Sequence, residues 1–167
     1  MKYIILFIVG LISFQPFAQG FDCEKLIKTF YDDVSGYSEK QSIKGISIID
    51  SRNNSMLIYP IKDTKGNISI RFGLVTNGCI DDNSQVNILF TDGSRYEKRG
   101  INKYNCDGLV VLKFYKKEIA KKPSFNDLIT KSIKIIRVHK FKGYVEVNLT
   151  EEDSKKLRDT LICLKES

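Results

Sequence analysis

The sequence contains a single histidine, His139, among its 167 residues. It also lacks the GxSxG, GxxxxGK(S/T), GxGxxG and HExxH motifs that place nucleophiles, phosphates or metal ions in familiar enzymes. A lone histidine in a predicted strand is typical of a surface or packed residue, and it cannot build a multi-histidine metal site. We therefore expect no catalytic residue, no metal site and no cofactor, and the sequence leans against an enzyme.

Paired carboxylates are scarce as well. Two adjacent pairs, Asp32-Asp33 and Asp81-Asp82, lie at a predicted helix end and in a predicted turn. Two-carboxylate catalysis needs side chains that converge across a cleft, whereas adjacent acids are mostly solvated or capping groups. The run 81–84 lacks the alternating oxygen ligands and the glycine of an EF-hand loop, so a calcium site is not favoured. An enzyme of unrecognised, acid-based type stays as an alternative only.

Long apolar runs are absent after the first twenty residues, and the run at the start, residues 4–14, has eleven members. Lys2 precedes this run, while Gln15-Pro16 and several small residues follow it. That order is typical of a secretory signal peptide, and the run is shorter than the about 20 residues that span a membrane. We predict a signal peptide over 1–19 and a single α+β domain over 20–167. This domain would be exported to the periplasm or the exterior, with no transmembrane span after cleavage.

The four cysteines include no CxxC pair, so a structural zinc site is not favoured. In an exported chain an even number of cysteines indicates disulfides, and four cysteines allow three pairings. We favour Cys79–Cys106, because both lie in similar turn-like settings that flank a predicted hairpin. The remaining pair, Cys23–Cys163, would join two predicted helices near the ends of the mature chain.

The hydrophobic pattern predicts an α+β fold dominated by antiparallel sheet, either a sandwich or a bent sheet of seven to eight short strands. Alternation of apolar and polar residues over 68–75 is typical of a half-buried strand, and Asp92-Gly93 is a strong hairpin signal. Pro60 suggests that its strand lies at a sheet edge. Helical spacing over 22–34 predicts an N-terminal helix, and the acidic start at Thr150 predicts a C-terminal helix. Further elements are predicted at 43–49, 56–62, 86–90, 95–99, 109–114, 125–131, 133–141 and 144–149.

Positive charge is concentrated in one segment. Residues 113–142 hold ten basic side chains and two acids, a net charge of +8, whereas 20–112 carry no net charge and 143–167 carry −2. Such a segment would attract a polyanion, for example an anionic envelope component or an acidic protein. The opposing interpretation is a solvated lysine-rich edge that discourages strand-to-strand aggregation. The candidate polyanion-binding residues are Lys113, Lys116, Lys117, Lys121, Lys122, Lys131, Lys134, Arg137, Lys140 and Lys142.

A resemblance covers a little over half of the chain, from Phe72 to Leu164. Its elements include Gly78-Cys79, the strand and turn over 88–93, and Asn105-Cys106-Asp107-Gly108. In these elements the chain resembles small secreted proteins of Bacteroidetes-type bacteria, for which no activity is known. The resemblance therefore implies no activity, and it implies that the two inner cysteines belong together.

Three functional classes follow from the sequence. The favoured one is a non-enzymatic exported binding or interaction module of the bacterial envelope or exterior. The alternatives are a polyanion-binding protein that uses the basic segment 113–142, and an enzyme of unrecognised type.

Overall fold

Antiparallel strands make up most of the described chain, which in the computed structural model comprises residues 22–50, 54–75, 78–121 and 123–167. The predicted signal peptide over 1–19 lies outside these residues. Ten strands and four helices are present in the described part, and the strands form two sheets. The helices are α1 (Cys23–Leu26), α2 (Lys116–Lys121), α3 (Pro123–Thr130) and α4 (Glu151–Glu166). The strands are β1 (Ile27–Asp32), β2 (Tyr37–Ser42), β3 (Ile46–Ile49), β4 (Ser55–Asp63), β5 (Ile68–Val75), β6 (Gln85–Phe90), β7 (Arg95–Arg99), β8 (Leu109–Phe114), β9 (Ile133–His139) and β10 (Tyr144–Asn148).

The first sheet has the order β1-β2-β4-β5-β8, with β3 also paired to β4. Its β5 strand buries every second residue, so the predicted alternation over 68–75 is confirmed. The edge position predicted from Pro60 is wrong, because β4 lies between β5 on one side and β2 and β3 on the other. Pro60 falls where β4 passes from its pairing with β2 to its pairing with β3, so the missing N–H interrupts neither ladder.

The second sheet has the order β10-β9-β6-β7. The predicted turn at Asp92-Gly93 joins β6 to β7, and Gly93 has φ +83°, in the left-handed region that glycine adopts without strain. Gly143 has φ +80° in the turn between β9 and β10. Both hairpins therefore depend on glycines that the sequence places between alternating strands.

Buried apolar side chains from both sheets form one core with α3 and α4. Phe72, Phe90, Phe114 and Phe125 are fully buried, and the Phe114 and Phe125 rings meet edge to face with centroids 5.2 Å apart. The helix α4 adds the apolar stripe predicted for it, including Leu157. Its start is capped as its acidic first turn suggests, because Thr150 Oγ1 accepts a hydrogen bond from Asp153 N at 3.1 Å.

The N-terminal helix predicted over 22–34 is largely wrong. Only Cys23–Leu26 is helical, and β1 then pairs with β2 along its whole length, from Ile27↔Ser42 to Asp32↔Tyr37. The apolar spacing mimics a helix, but Val34 is 98% exposed and Ile27 packs against the core only in part. This hairpin also explains why the described chain has ten strands instead of seven or eight.

Two disulfides are present, in the favoured pairing. Cys23–Cys163 joins α1 to α4 across 140 residues of sequence, and Cys79–Cys106 closes a separation of 27 residues. An isolated bridge, Ile80↔Asn105, lies beside the second disulfide, as expected at the base of a hairpin-like unit. None of the described helices is long and apolar enough to cross a membrane.

Candidate anion-binding site

The fold disperses the basic segment over both sheets. Lys113 lies on β8 of the first sheet and Lys116 and Lys117 lie on α2, whereas Lys134 and Arg137 lie on β9 of the second sheet. The remaining described members follow α3 or β9, and they are Lys131, Lys140 and Lys142. Lys122 and the side chain of Lys121 lie outside the described part of the chain.

Several members of the basic segment are neutralised by carboxylates. Arg137 Nε donates to Glu146 Oε2 at 2.8 Å, and Lys113 Nζ lies 3.4 Å from Asp63 Oδ2. The Lys131 ammonium lies 3.2 Å from Asp92 Oδ2 and 3.6 Å from Asp127 Oδ1.

The environment of Asp92 keeps this neutralisation in place. Hydrogen bonds from the Ser94 hydroxyl and backbone, together with the Lys131 ammonium, lower the pKa of Asp92 to about 2. Asp92 is therefore ionised at any pH well above 2 and compensates the charge of Lys131. This ion pair makes Lys131 a poor candidate for binding an anionic ligand.

A different set of lysines converges on the first sheet. Register places Thr29, Lys40, Lys62, Ile68 and Phe114 opposite one another across β1, β2, β4, β5 and β8. Residues paired in this way project from the same face of a sheet. Because Ile68 and Phe114 are buried in the core, this row lies on the inward face. Lys40 and Lys62 thus stand directly opposite each other where the apolar core ends.

These lysines line a pocket of about 340 Å³ between β1, β2, the β4–β5 turn, α2 and the end of α4. Lys40 Nζ donates to the backbone oxygen of Ser167 at 3.1 Å, which ties β2 to the end of α4. We call this site the lysine pocket and define it by Lys40, Lys62, Lys65 and Lys116. Its lining also includes Thr29, Ser38, Glu39, Asp63, Thr64, Gly66 and Ser167.

The β4–β5 turn brings two of the lysines together. Asp63 Oδ1 accepts from the backbone N–H groups of Lys65 at 3.0 Å and Asn67 at 2.9 Å. Asn67 Oδ1 in turn accepts from the backbone N–H of Lys116 at 3.1 Å, which fixes the start of α2 against the turn. These side-chain hydrogen bonds are typical of Asx turns.

Gly66 is required at this turn for two reasons. Its φ is +77°, and a Cβ placed there would lie 3.3 Å from Cδ of Lys116. The absence of a side chain therefore allows both the left-handed backbone and the close passage of the Lys116 stem over the turn. The sequence Lys65-Gly66-Asn67 thus delivers Lys65 and Lys116 to one pocket.

The pocket carries positive charge that described carboxylates do not neutralise. Burial, followed by the charges of Lys40 and Lys116, lowers the pKa of Lys62 from its ordinary value of 10.5. Among the residues described, no carboxylate lies within ion-pair distance of the Lys62, Lys65 or Lys116 ammonium groups. Burial would raise the pKa of Asp63, but hydrogen bonds from Asn67 and the Lys113 ammonium lower it overall, so this carboxylate is ionised and already engaged.

Two neighbouring hollows adjoin the lysine pocket. One, of about 200 Å³, shares Thr29 and Lys40 with the lysine pocket and adds Lys28 together with the acidic Glu24. The other, of about 280 Å³, shares Lys62 and Lys116 and adds Lys165. The arrangement can bind a compact anion in the pocket, with room for a larger ligand on either side.

The outer face of the second sheet has a smaller hollow, of about 130 Å³, with charges of both signs. Its lining includes Arg95, Glu97, Arg137 and Glu146, and the last two form the ion pair described above. His139 lies near this face, where its Nε2 is 3.3 Å from Nδ2 of Asn87. Because the acids and bases alternate here, this face does not select for an anion.

The predicted acid pairs act within turns. Asp32 Oδ2 accepts from the Ser35 hydroxyl at 2.6 Å, and Asp82 accepts from the backbone N–H of Tyr104. In the part of the chain that the structure describes, no group of three or more histidine, cysteine or acidic side chains could hold a metal ion.

Comparisons with known proteins match this chain to no family model, no curated protein and no solved structure.

Sequence reasoning found one of the four pocket lysines, Lys116, and missed Lys40, Lys62 and Lys65. One signal for Lys62 was present. In β4 the inward positions run Met56, Ile58 and Pro60, and Lys62 then follows with the same parity. A lysine that breaks an apolar alternation marks a position where a strand leaves the core.

Proposed function

We propose that this protein is an exported, non-enzymatic binding module in which a sandwich of two sheets presents an anion-binding site. The single observation that carries the proposal is the pair Lys40 and Lys62, directly opposite on an inward sheet face. Both face the same pocket as Lys65 and Lys116.

The energetics of that pair favour a ligand. Like charges directly opposite on neighbouring strands destabilise a sheet. Lysines that protect against aggregation belong on edge strands, but β2 and β4 both have neighbours on each side. An anion in the pocket would replace the mutual repulsion of the lysines with charge-assisted hydrogen bonds. The sequence therefore keeps a locally unfavourable arrangement that a bound anion makes favourable.

Export is supported by the two disulfides, which persist in oxidising compartments. An exported binding module meets the anionic groups of the envelope and of the extracellular medium. The proposed ligand is therefore a sulfate, phosphate or carboxylate group carried by such a component.

The test compares two double variants that remove the same charge. The pocket variant, Lys62→Gln with Lys116→Gln, removes two lysines of the pocket. The control variant, Lys117→Gln with Lys134→Gln, removes two exposed lysines of the basic segment. Thermal unfolding with increasing sulfate, together with heparin retention, measures anion binding. A charge-assisted hydrogen bond contributes roughly 1.5–3 kcal/mol, so the pocket variant should bind sulfate at least about tenfold more weakly.

The control variant should retain near wild-type sulfate affinity, with only a small loss of heparin retention. Circular dichroism confirms that both variants fold. Equal losses in both variants would show that net charge, and not the pocket, binds the anion. A larger loss of anion binding in the control variant would show that the basic segment 113–142 binds the anion.

A further inference from the structure

The β1–β2 hairpin places one aromatic ring beside the lysine pocket. Tyr31 pairs with Ser38, two positions beyond the pair Thr29↔Lys40, so alternation puts its side chain on the same sheet face as Lys40. Diagonal neighbours on such a face have Cβ atoms roughly 7 Å apart, within reach of an aromatic side chain. A molecule held by the lysines would therefore lie next to this ring.

The Tyr31 ring is unusually accessible. It is 66% exposed, and within the described chain no ring contact, ion pair or hydrogen bond involves its side chain. Phe30, on the opposite face of the hairpin, is less exposed and has the Lys28 ammonium 4.0 Å from its ring centre. The face of the hairpin that carries the lysine pocket thus offers an uncovered aromatic surface.

The rest of the lining supplies hydroxyl groups. Thr29 and Ser38 lie on the same face as Lys40, and Thr64 has the same parity as Lys62. Hydroxyls donate and accept hydrogen bonds, so they match the hydroxyl groups of a sugar. An aromatic face, hydroxyls and a compact group of cations together suit a sugar ring that bears an anionic substituent.

A nucleic acid fits this arrangement less well. Its phosphates repeat along an extended backbone and call for a cationic strip, whereas these lysines converge on one pocket. Glu39 and Asp63 also flank the pocket on the same two strands, where they would repel phosphates laid along the hairpin.

From this geometry we infer that the ligand is an acidic carbohydrate, whose ring stacks on Tyr31 while its anionic group lies among Lys40, Lys62 and Lys116. The inference rests on the proposed anion-binding function and deepens it. The lysines hold any small anion, whereas Tyr31 contributes only when a ring is attached to that anion.

This division of roles gives a test with separate outcomes. Isothermal titration calorimetry measures the binding of sulfate, of a heparin-derived hexasaccharide, of a galacturonate hexasaccharide and of a dT₁₂ oligonucleotide. The variants are Tyr31→Ala, the conservative Tyr31→Phe, and Phe30→Ala as the matched change on the opposite face of the same hairpin.

Tyr31→Ala should weaken binding of one or both acidic hexasaccharides by about fivefold to tenfold, the loss of one ring contact. Tyr31→Phe keeps the ring and Phe30→Ala leaves it untouched, so both should stay within about twofold of wild type, below the effect of one ring contact. Sulfate affinity should be the same in all three variants. Preference for the galacturonate hexasaccharide would show that a carboxylate is sufficient, whereas preference for the heparin fragment, which carries sulfates as well as carboxylates, would indicate that a sulfate contributes.

Three results would overturn the inference. If Tyr31→Ala binds both hexasaccharides as wild type does while sulfate still requires Lys62, the ligand is an anion without a stacked ring, and the proposed function stands. If dT₁₂ binds more tightly than either hexasaccharide and depends on Tyr31, the ligand class is nucleic acid. If neither sulfate nor any hexasaccharide binds wild type, the proposed function itself is wrong.

Discussion

The basic segment 113–142 and the lysine pocket differ in how their positive charge is distributed along the chain and in the folded structure. The segment carries a net charge of +8 within thirty consecutive residues, yet the fold distributes it over two sheets and pairs several members with carboxylates. The pocket draws lysines from three distant parts of the chain, namely position 40, positions 62 and 65, and position 116, and these lysines share one cavity. Charge that is dense along the chain is therefore not the charge that is dense in space.

Antiparallel pairing explains the difference. Successive residues of a strand point to opposite faces, so a run of lysines in a strand is divided between two surfaces. Cross-strand register instead places residues of distant segments side by side, as it does for Lys40 and Lys62. In a sheet protein a functional cluster is thus a property of register, which a count of local charge cannot detect.

The largest expected effect comes from the disulfide that holds the pocket walls together. Replacing Cys23 and Cys163 by serine should lower the free energy of unfolding by roughly 4–5 kcal/mol, because the disulfide closes a loop of 140 residues. It should also reduce heparin retention, since α1 and β1 lie on one side of the pocket and the end of α4 on the other. Denaturant unfolding and heparin chromatography measure the two effects.

Cys79→Ser with Cys106→Ser is the matched control for this variant. Its shorter loop predicts a smaller loss, roughly 3–4 kcal/mol, and heparin retention should stay near wild type. If the Cys23/Cys163 variant stays folded and keeps full retention, the pocket walls that this disulfide joins are not needed to bind the anion.

A smaller effect is expected from removing the inward charge. Lys62→Met should raise the free energy of unfolding by about 0.5–1 kcal/mol in low-salt buffer, because it abolishes repulsion with Lys40 and extends the apolar face of β4. Lys117→Met, on the exposed side of α2, should change stability little. Urea unfolding measures both.

In high sulfate the advantage of Lys62→Met should shrink, since a bound anion stabilises wild type more than the variant. A destabilising Lys62→Met in low salt would mean that Lys62 is already satisfied, and would remove the energetic reason for a ligand.

The smallest effect concerns pH. Burial and the charges of Lys40 and Lys116 lower the pKa of Lys62, so the folded protein releases this proton at a lower pH than the unfolded chain, whose value is 10.5. The unfavourable charge is present in full below the lowered pKa and is relieved as the pH rises toward 10.5. Over that window ligand-free stability should rise modestly while sulfate affinity falls.

Titrations of wild type with sulfate at a series of alkaline pH values check this prediction. Sulfate is the suitable probe because its own charge is constant there. Lys62→Gln should lack the part of the decline that comes from the lowered pKa of Lys62. A pH profile identical in wild type and Lys62→Gln would contradict the role given to Lys62.

Much of the fold could be read from local sequence. Alternation in β5, the Asp92-Gly93 turn and the capped start of α4 at Thr150 all occur as expected, because each depends on residues close together in the chain. The hairpin of β1 and β2 could not be read in this way. Its first strand has helical apolar spacing, and only the backbone pairing of Ile27–Asp32 with Tyr37–Ser42 determines that it is extended.

The candidate site was harder to predict from the sequence, because it too depends on backbone pairing between distant segments. Lys116 belongs to a basic run and was identified, but the cavity around it depends on the register of β2 with β4 and on the turn that Asp63 and Asn67 organise. The disulfides were the exception among long-range features. Only three pairings of four cysteines exist, so local setting was enough to choose between them.

The Cys23–Cys163 disulfide has a mechanical consequence. Tension on the chain before Cys23 and after Cys163 passes directly through the sulfur–sulfur bond, so the chain between them, residues 24–162, carries none of the load. The hydrogen bonds of both sheets therefore keep their arrangement under forces that would pull an uncrosslinked sheet apart. A chain crosslinked in this way keeps its sheets folded while the segments outside the two cysteines are pulled in opposite directions, and reduction of one bond would remove that resistance.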